Sequence, residues 1–223
     1  MSGNRPIVLF SRCLGFEPCR YNGEIVRDQF VEHLKGFVEP ITVCPEMAIG
    51  LGVPREPIRI IYLADQPRLI QPATGRDLTD LMSNFVRSFL DELKEIDGFV
   101  LKSRSPSCGI RDVKSYNEEG NLRPSVNRRG FFGNAVMAKF PFKPVEDEGR
   151  LKNFLIRESF LCRLFALARF RALRKNPTMS ALVDFHARHK LLLLAYNQAL
   201  MRELGRIVAN PQKRPLKELL NEN

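Results

Sequence analysis

Three short apolar runs constrain this chain more than any other feature, because each of them ends at or near a cysteine. "PIVLFS" at 6–11 leads to Cys13, "ITVC" at 41–44 ends in Cys44, and "GFVLK" at 98–102 leads through "SRSPS" to Cys108. Runs of this length, rich in Val, Ile and Phe and closed by turn residues, read as strands. A fourth, "PIRIIYL", lies at 57–63. Between them the spacing changes. Ile25, Phe30, Leu34 and Phe37 recur at helical intervals within 22–37, and 77–96 opens on Asp77 and continues as an amphipathic helix. Strands alternating with helices predict an α/β fold with a Rossmann-like, open, mostly parallel sheet. The carboxyl ends of such strands share one edge, where ligands bind. The pattern therefore predicts that Cys13, Cys44 and Cys108 meet at that edge. Gly15, Pro45 and Gly109 beside them permit tight turns in which backbone approaches a bound group.

After Cys108 the chain is turn-rich to about residue 128 and carries Lys114, Arg123 and Arg128, with Arg129 next to them. A loop this long in a compact domain is usually functional or mobile. Residues 130–140 read as the closing helix of a first domain spanning 1–140. "PFKPVEDEG" at 141–149 reads as a boundary, with two prolines and an acidic cluster. Residues 150–175 are strongly helical, and Asn176 and Pro177 suit the cap and first position of another helix reaching about Val208. Residues 141–223 thus predict a small, basic, all-α module arranged as a helical hairpin.

The charge is uneven. Residues 1–100 carry 11 Lys and Arg against 14 Asp and Glu, whereas 101–223 carry 24 against 11. Such asymmetry points to a polyanionic partner, RNA or DNA by default, with a solvated basic face as the plain alternative. The longest apolar stretch, "LLLLAY" at 191–196, falls far short of the run of about 18 that a membrane span needs. "MSGNRPIVLFSR" lacks the layout of a signal peptide, so a cytoplasmic setting is expected. Cysteines stay reduced there, and five of them favour metal binding or catalysis over disulfides.

Three convergent thiolates fit no structural zinc site, which takes four ligands, and the chain has no CxxC pair. Iron–sulfur clusters are also held by thiolates, usually four. Three would leave one iron open as a Lewis acid. Cys19, in "CLGFEPCRYNG", is the obvious fourth candidate, while Cys162, inside "ESFLCRLF", reads as a packed core residue. Glu46 lies two residues after Cys44 and can serve as general acid or base. Ser105 and Ser107 flank Pro106 and can orient water or substrate. A surface carboxylate and two turn serines are the alternatives that the residues alone leave open. His186 and His189, in "DFHARH", suit a polar helix face or an RNA contact better than a metal pair.

Taken together, "SRCLGFEPCRYNG", "VCPE…GLGVPREP" and "LKSRSPSCG" resemble the thiouracil desulfidase family over about residues 5–140. The segment from "FPFKP" onward resembles a helical module that follows this domain, an arrangement similar to the tRNA 4-thiouridine desulfidases. The resemblance implies a 4Fe-4S cluster held by Cys13, Cys44 and Cys108, with the free iron taking the substrate's sulfur. It implies catalytic roles for Glu46 and Ser105, with Ser107 as a further candidate substrate contact, and it leaves Cys19 outside the ligand set. "CLGF" stands where the family has "CLLG", and Asn22 where Asp is common. The resemblance also implies a helical module that continues past Asn223.

The expected activity is non-redox removal of sulfur from 4-thiouridine in tRNA, with Arg123, Arg128, Arg129 and the basic helices holding phosphates. The alternatives are desulfuration of free thiouracil or another small thioamide, and a non-catalytic metal-containing RNA-binding protein.

Overall fold

The computed structural model describes residues 5–124, 128–210 and 212–222. Residues 125–127, part of the expected irregular loop, lie outside the described residues, as do the first four residues and the last. The chain forms two compact units, Pro6–Leu164 and a second made of Met1–Arg5 with Phe165–Asn223.

The first unit is built on a four-stranded parallel sheet in the order β2-β1-β6-β9. Its strands are β1 (Ile7–Ser11), β2 (Glu39–Val43), β6 (Gly98–Leu101) and β9 (Val145–Asp147). β6 is buried at every position, as expected of a parallel strand covered on both faces. Alternate residues divide between two cores. Val8, Phe10 and Val100 pack with Val31, Leu34, Leu151, Phe160 and Leu164. Leu9, Phe99 and Leu101 pack with Met82, Val86, Leu90, Phe132 and Val136. The first layer comes from α1 (Gln29–Lys35) and the start of α5 (Phe154–Lys175), and the second from α3 (Thr79–Glu92) and α4 (Phe131–Lys139). The chain runs from β1 out to β2 and returns to the other side of β1 to form β6, which makes the β1/β6 boundary a switch point.

A second sheet, which the sequence pattern missed, has the order β5-β4-β3-β7-β8. It comprises β3 (Arg59–Leu63), β4 (Gln66–Gln71), β5 (Arg76–Asp77), β7 (Ser115–Tyr116) and β8 (Leu122–Arg123). The run at 57–63 is therefore a strand, but it pairs antiparallel with β4 rather than entering the main sheet. The β3–β4 turn is Ala64–Asp65, both at positive φ (44° and 59°), a two-residue hairpin geometry reached without the usual Asn-Gly signal.

Two further expectations change. The helix expected at 22–37 is confined to Gln29–Lys35, because Asp28 caps it by accepting from the Val31 N–H at 3.0 Å. The segment 141–149, expected as a boundary, contains β9 and lies inside the first unit. The expected division at 140/141 thus differs from the observed one at Leu164/Phe165, within α5.

The second unit contains the end of α5, α6 (Met179–Tyr196), α7 (Gln198–Ala209) and α8 (Leu216–Glu222), packed around Leu173, Leu182, Val208, Leu219 and Leu220. Thr178, not Asn176, caps α6 through the Ala181 N–H. Asn197 ends α6 and caps α7 through the Leu200 N–H at 3.0 Å, so the expected single helix to Val208 is two. Among the described residues no helix is long and apolar enough to cross a membrane. Cys162 is half-buried rather than fully packed. His189 is buried, with Nδ1 2.7 Å from the Phe185 carbonyl and its ring on Phe185, so it is not presented to an RNA.

Candidate active site at the sheet switch point

The parallel register sets the first two cysteines side by side. Ser11 pairs with Val43, and the Arg12 N–H continues the ladder to the Val43 carbonyl at 2.8 Å. Cys13 and Cys44 follow immediately. Ser11 also accepts from the Lys102 N–H at 2.8 Å, which ties the end of β1 to the end of β6.

Cys108 is placed by close backbone packing. The Ser105 hydroxyl accepts from the N–H groups of Ser107 and Cys108 at 3.2 and 3.1 Å, folding "SPSC" into a turn. The N-terminus of α4 then docks on that turn. Gly130, Phe131 and Gly133 donate to the carbonyls of Gly109, Pro106 and Ser107 at 2.8, 3.1 and 3.1 Å. A Cβ on Gly130 would lie 2.5 Å from the Ser107 carbonyl oxygen, and one on Gly133 would lie 2.6 Å from the Cys108 carbonyl oxygen. Glycine is what lets α4 approach this closely.

Cys13, Cys44 and Cys108 line one cavity of about 420 Å³, together with Glu46 and Ser105. The cavity also holds three groups that the sequence reading gave no place there. Cys19, left outside the expected ligand set, is buried in the wall, and its thiol hydrogen-bonds to those of Cys13 and Cys44. Arg55 grips Glu46 Oε2 through Nε and Nη2 at 2.9 and 2.6 Å, and it also donates to the carbonyls of Cys19 and Gly52 at 3.1 and 2.9 Å. Lys102 and Ser103 converge on Glu148, with the Lys102 Nζ at 2.5 Å and the Ser103 hydroxyl at 2.7 Å from Oε1. Arg55 stands in the "GVPREP" stretch, but local spacing carries no signal of an ion pair closed across nine residues.

Ser107 and Ser105 differ. Ser107 is fully buried and donates to Glu46 Oε1 at 3.0 Å, so it contacts the carboxylate rather than lining the cavity as a substrate contact. Ser105 lines the cavity, and because its oxygen accepts two backbone bonds, its own hydrogen is left to donate.

The thiols are held protonated. Burial pushes the Cys108 thiol up, and the hydrogen bond to Cys19, followed by burial, does so for Cys44. The hydrogen bond to Cys13 pushes Cys19 up to about 11. Arg12 Nε is buried beside Cys13 with no acceptor among the described residues. A thiol-lined cavity with an orphaned buried donor fits a group that brings positive metal to the thiolates and sulfide acceptors to that N–H. Among the described residues no three His, Cys, Asp or Glu side chains close on a single metal ion. A polynuclear cluster spreads its ligands more widely than one ion does.

The expected RNA contacts lie elsewhere. Arg123 and Arg128 both stack on Tyr62, at 4.6 and 4.5 Å from the ring centre, and Arg123 pairs with Asp65 at 3.2 Å. Arg128 and Arg129 line a separate cavity of about 610 Å³ beside the second sheet.

A parallel α/β sheet with reduced thiols and a clamped carboxylate at its switch point defines a thiolate-centre α/β protein. The 2-thiouracil desulfurase family profile matches residues 8–148, and the chain belongs to that family. Residues 190–222 match a second family, described as a protein of unknown function (DUF1722). The uncharacterized protein YbbK of Bacillus subtilis (strain 168) is 36% identical over 110 residues, 46% of this chain and 73% of YbbK. The uncharacterized protein YbgA of Escherichia coli (strain K12) is 43% identical over 54 residues, 24% of this chain and 32% of YbgA. Among solved structures, the 4Fe-4S-dependent thiouracil desulfidase TudS is similar at a TM-score of 0.53 and 25% identity, covering 70% of this chain and 99% of TudS.

Proposed function

We propose that this chain is an iron–sulfur-dependent desulfidase that exchanges the thiocarbonyl sulfur of a thiolated uracil for oxygen, and that its substrate is 4-thiouridine in tRNA. One observation carries the reading: three strand-end cysteines and a clamped carboxylate share a single cavity in a member of the 2-thiouracil desulfurase family. The dependence of TudS on a 4Fe-4S cluster supports the cofactor. Cys13, Cys44 and Cys108 would hold it, and Arg12 Nε would donate to its sulfide. A cluster with three protein thiolates supplies a thiophilic, Lewis-acidic iron with an open position.

The chain's own groups do the rest. Arg55 and Ser107 fix both oxygens of Glu46, so the carboxylate has one orientation from which to take a proton from the attacking water. Ser105 donates toward the base. Tyr21 is 43% exposed in the cavity wall, and its ring offers a face on which a pyrimidine stacks. Arg104, exposed on the same wall, suits a phosphate. The balance is hydrolytic: thiocarbonyl and water give carbonyl and hydrogen sulfide, with no change of oxidation state.

The tRNA part rests on charge. Residues 151–223 carry 14 Lys and Arg against 5 Asp and Glu, an excess that a free base does not need. The likeness to TudS, titled a thiouracil desulfidase, favours the free base as the second reading. Competition between 4-thiouracil and 4-thiouridine-containing tRNA for the anaerobically reconstituted protein separates them. The first reading expects the tRNA to be turned over at the lower concentration and to lose this advantage in high salt; equal use of both supports the second.

A further inference from the structure

Cys19 is buried to 3% exposure, yet it belongs to none of the apolar clusters that account for the other buried side chains of the first unit, Cys108 among them. A cysteine that merely fills space touches apolar neighbours. This one touches thiols. Its side chain hydrogen-bonds to Cys13 and Cys44, and the Cys44 thiol also reaches the Cys19 carbonyl at 3.7 Å. Its backbone is anchored as firmly as a ligand's, because Arg55 holds the Cys19 carbonyl at 3.1 Å with the guanidinium that clamps Glu46.

We propose that Cys19 is the fourth ligand of the resting cluster, an exchangeable one that occupies the iron left open by Cys13, Cys44 and Cys108 and gives way to the sulfur of the substrate. The inference rests on the cluster reading above and deepens it. The cavity wall then holds four thiols, the usual complement of a 4Fe-4S centre. The exchange is a substitution at iron: the bond to the Cys19 sulfur breaks, a lone pair of the thiocarbonyl sulfur forms the new bond, and the released thiolate takes a proton from solvent. No electron is transferred. With its carbonyl fixed by Arg55, Cys19 leaves by rotation of its side chain alone. A resting enzyme closed in this way protects the reactive iron from stray thiols and hydrosulfide, and it opens only for a ligand that competes for iron.

The test uses Mössbauer spectra of the anaerobically reconstituted wild-type, Cys19→Ala and Cys19→Ser proteins. The wild-type protein is expected to show four like, thiolate-bound irons, and both variants a three-to-one pattern with the cluster retained. Removing a competing ligand raises the fraction of open sites, so half-saturation by hydrosulfide falls by roughly tenfold in Cys19→Ala. A three-to-one pattern already present in substrate-free wild-type protein, with unchanged hydrosulfide binding in the variants, would overturn the proposal and leave the desulfidase reading standing. Loss of the cluster in both variants would make Cys19 indispensable rather than exchangeable and overturn it as well. Absence of any cluster in the wild-type protein would overturn both readings.

Discussion

The Ser107 hydroxyl donates to Glu46 Oε1 at 3.0 Å, joining the loop after β6 to the turn after β2 across 61 positions of sequence. Arg55 holds the other oxygen of the same carboxylate at 2.6 Å. The proposed base is therefore oriented by two elements remote in the chain, and its role can be separated from theirs.

Glu46→Gln keeps the shape and removes the proton acceptor. We expect turnover to fall by about 10²–10⁴-fold with cluster absorbance unchanged. Ser107→Ala keeps the carboxylate and loosens it, so kcat should drop by roughly tenfold with KM nearly constant. Steady-state kinetics on reconstituted protein checks both, and wild-type turnover in Glu46→Gln would remove Glu46 from the mechanism.

Arg55 and Glu46 form a buried pair, their side chains 4% and 14% exposed. Removing one partner of such a pair leaves an uncompensated charge and costs about 3–5 kcal/mol. Arg55→Ala should lower the urea midpoint accordingly and also disturb Cys19, whose carbonyl Arg55 holds. An unchanged midpoint would show that solvent compensates the pair.

Gly133→Ala would bring a Cβ to 2.6 Å from the Cys108 carbonyl oxygen. Either α4 moves or the Cys108 turn does. Overpacking of this kind costs about 1–3 kcal/mol, and iron retained per chain should fall with Tm. Full iron content at wild-type Tm would mean that the docking of α4 does not set the position of Cys108.

Much of this site was legible in the sequence, and the limits have physical causes. β1, β2 and β6 were readable because parallel strands buried on both faces are continuous apolar runs, and their cysteines follow from the shared edge. The second sheet escaped because β5, β7 and β8 are two residues each, too short for a period. β9 escaped because Pro141, Pro144 and its acidic residues resemble a linker, whereas Glu146 is paired with Arg150 and Asp147 accepts from the Arg150 N–H. Cys19 and Arg55 escaped because loop geometry alone brings them in, and no spacing rule encodes it.

Tyr21 offers an exposed ring in the cavity wall. Base stacking is worth about 1–3 kcal/mol, so Tyr21→Ala should raise KM by roughly 5- to 150-fold, while Tyr21→Phe should stay near wild type. A kcat effect with constant KM would contradict the stacking role.

The measurement that bears most directly on the central claim is anaerobic reconstitution with iron and sulfide, followed by quantification of sulfide released and carbonyl product formed from 4-thiouridine-containing tRNA. The account predicts stoichiometric, cluster-dependent release with no added reductant or oxidant, lost in Cys13→Ala, Cys44→Ala and Cys108→Ala. A protein that binds zinc and no iron, or one that carries the cluster and releases no sulfide from tRNA or free 4-thiouracil, would contradict it.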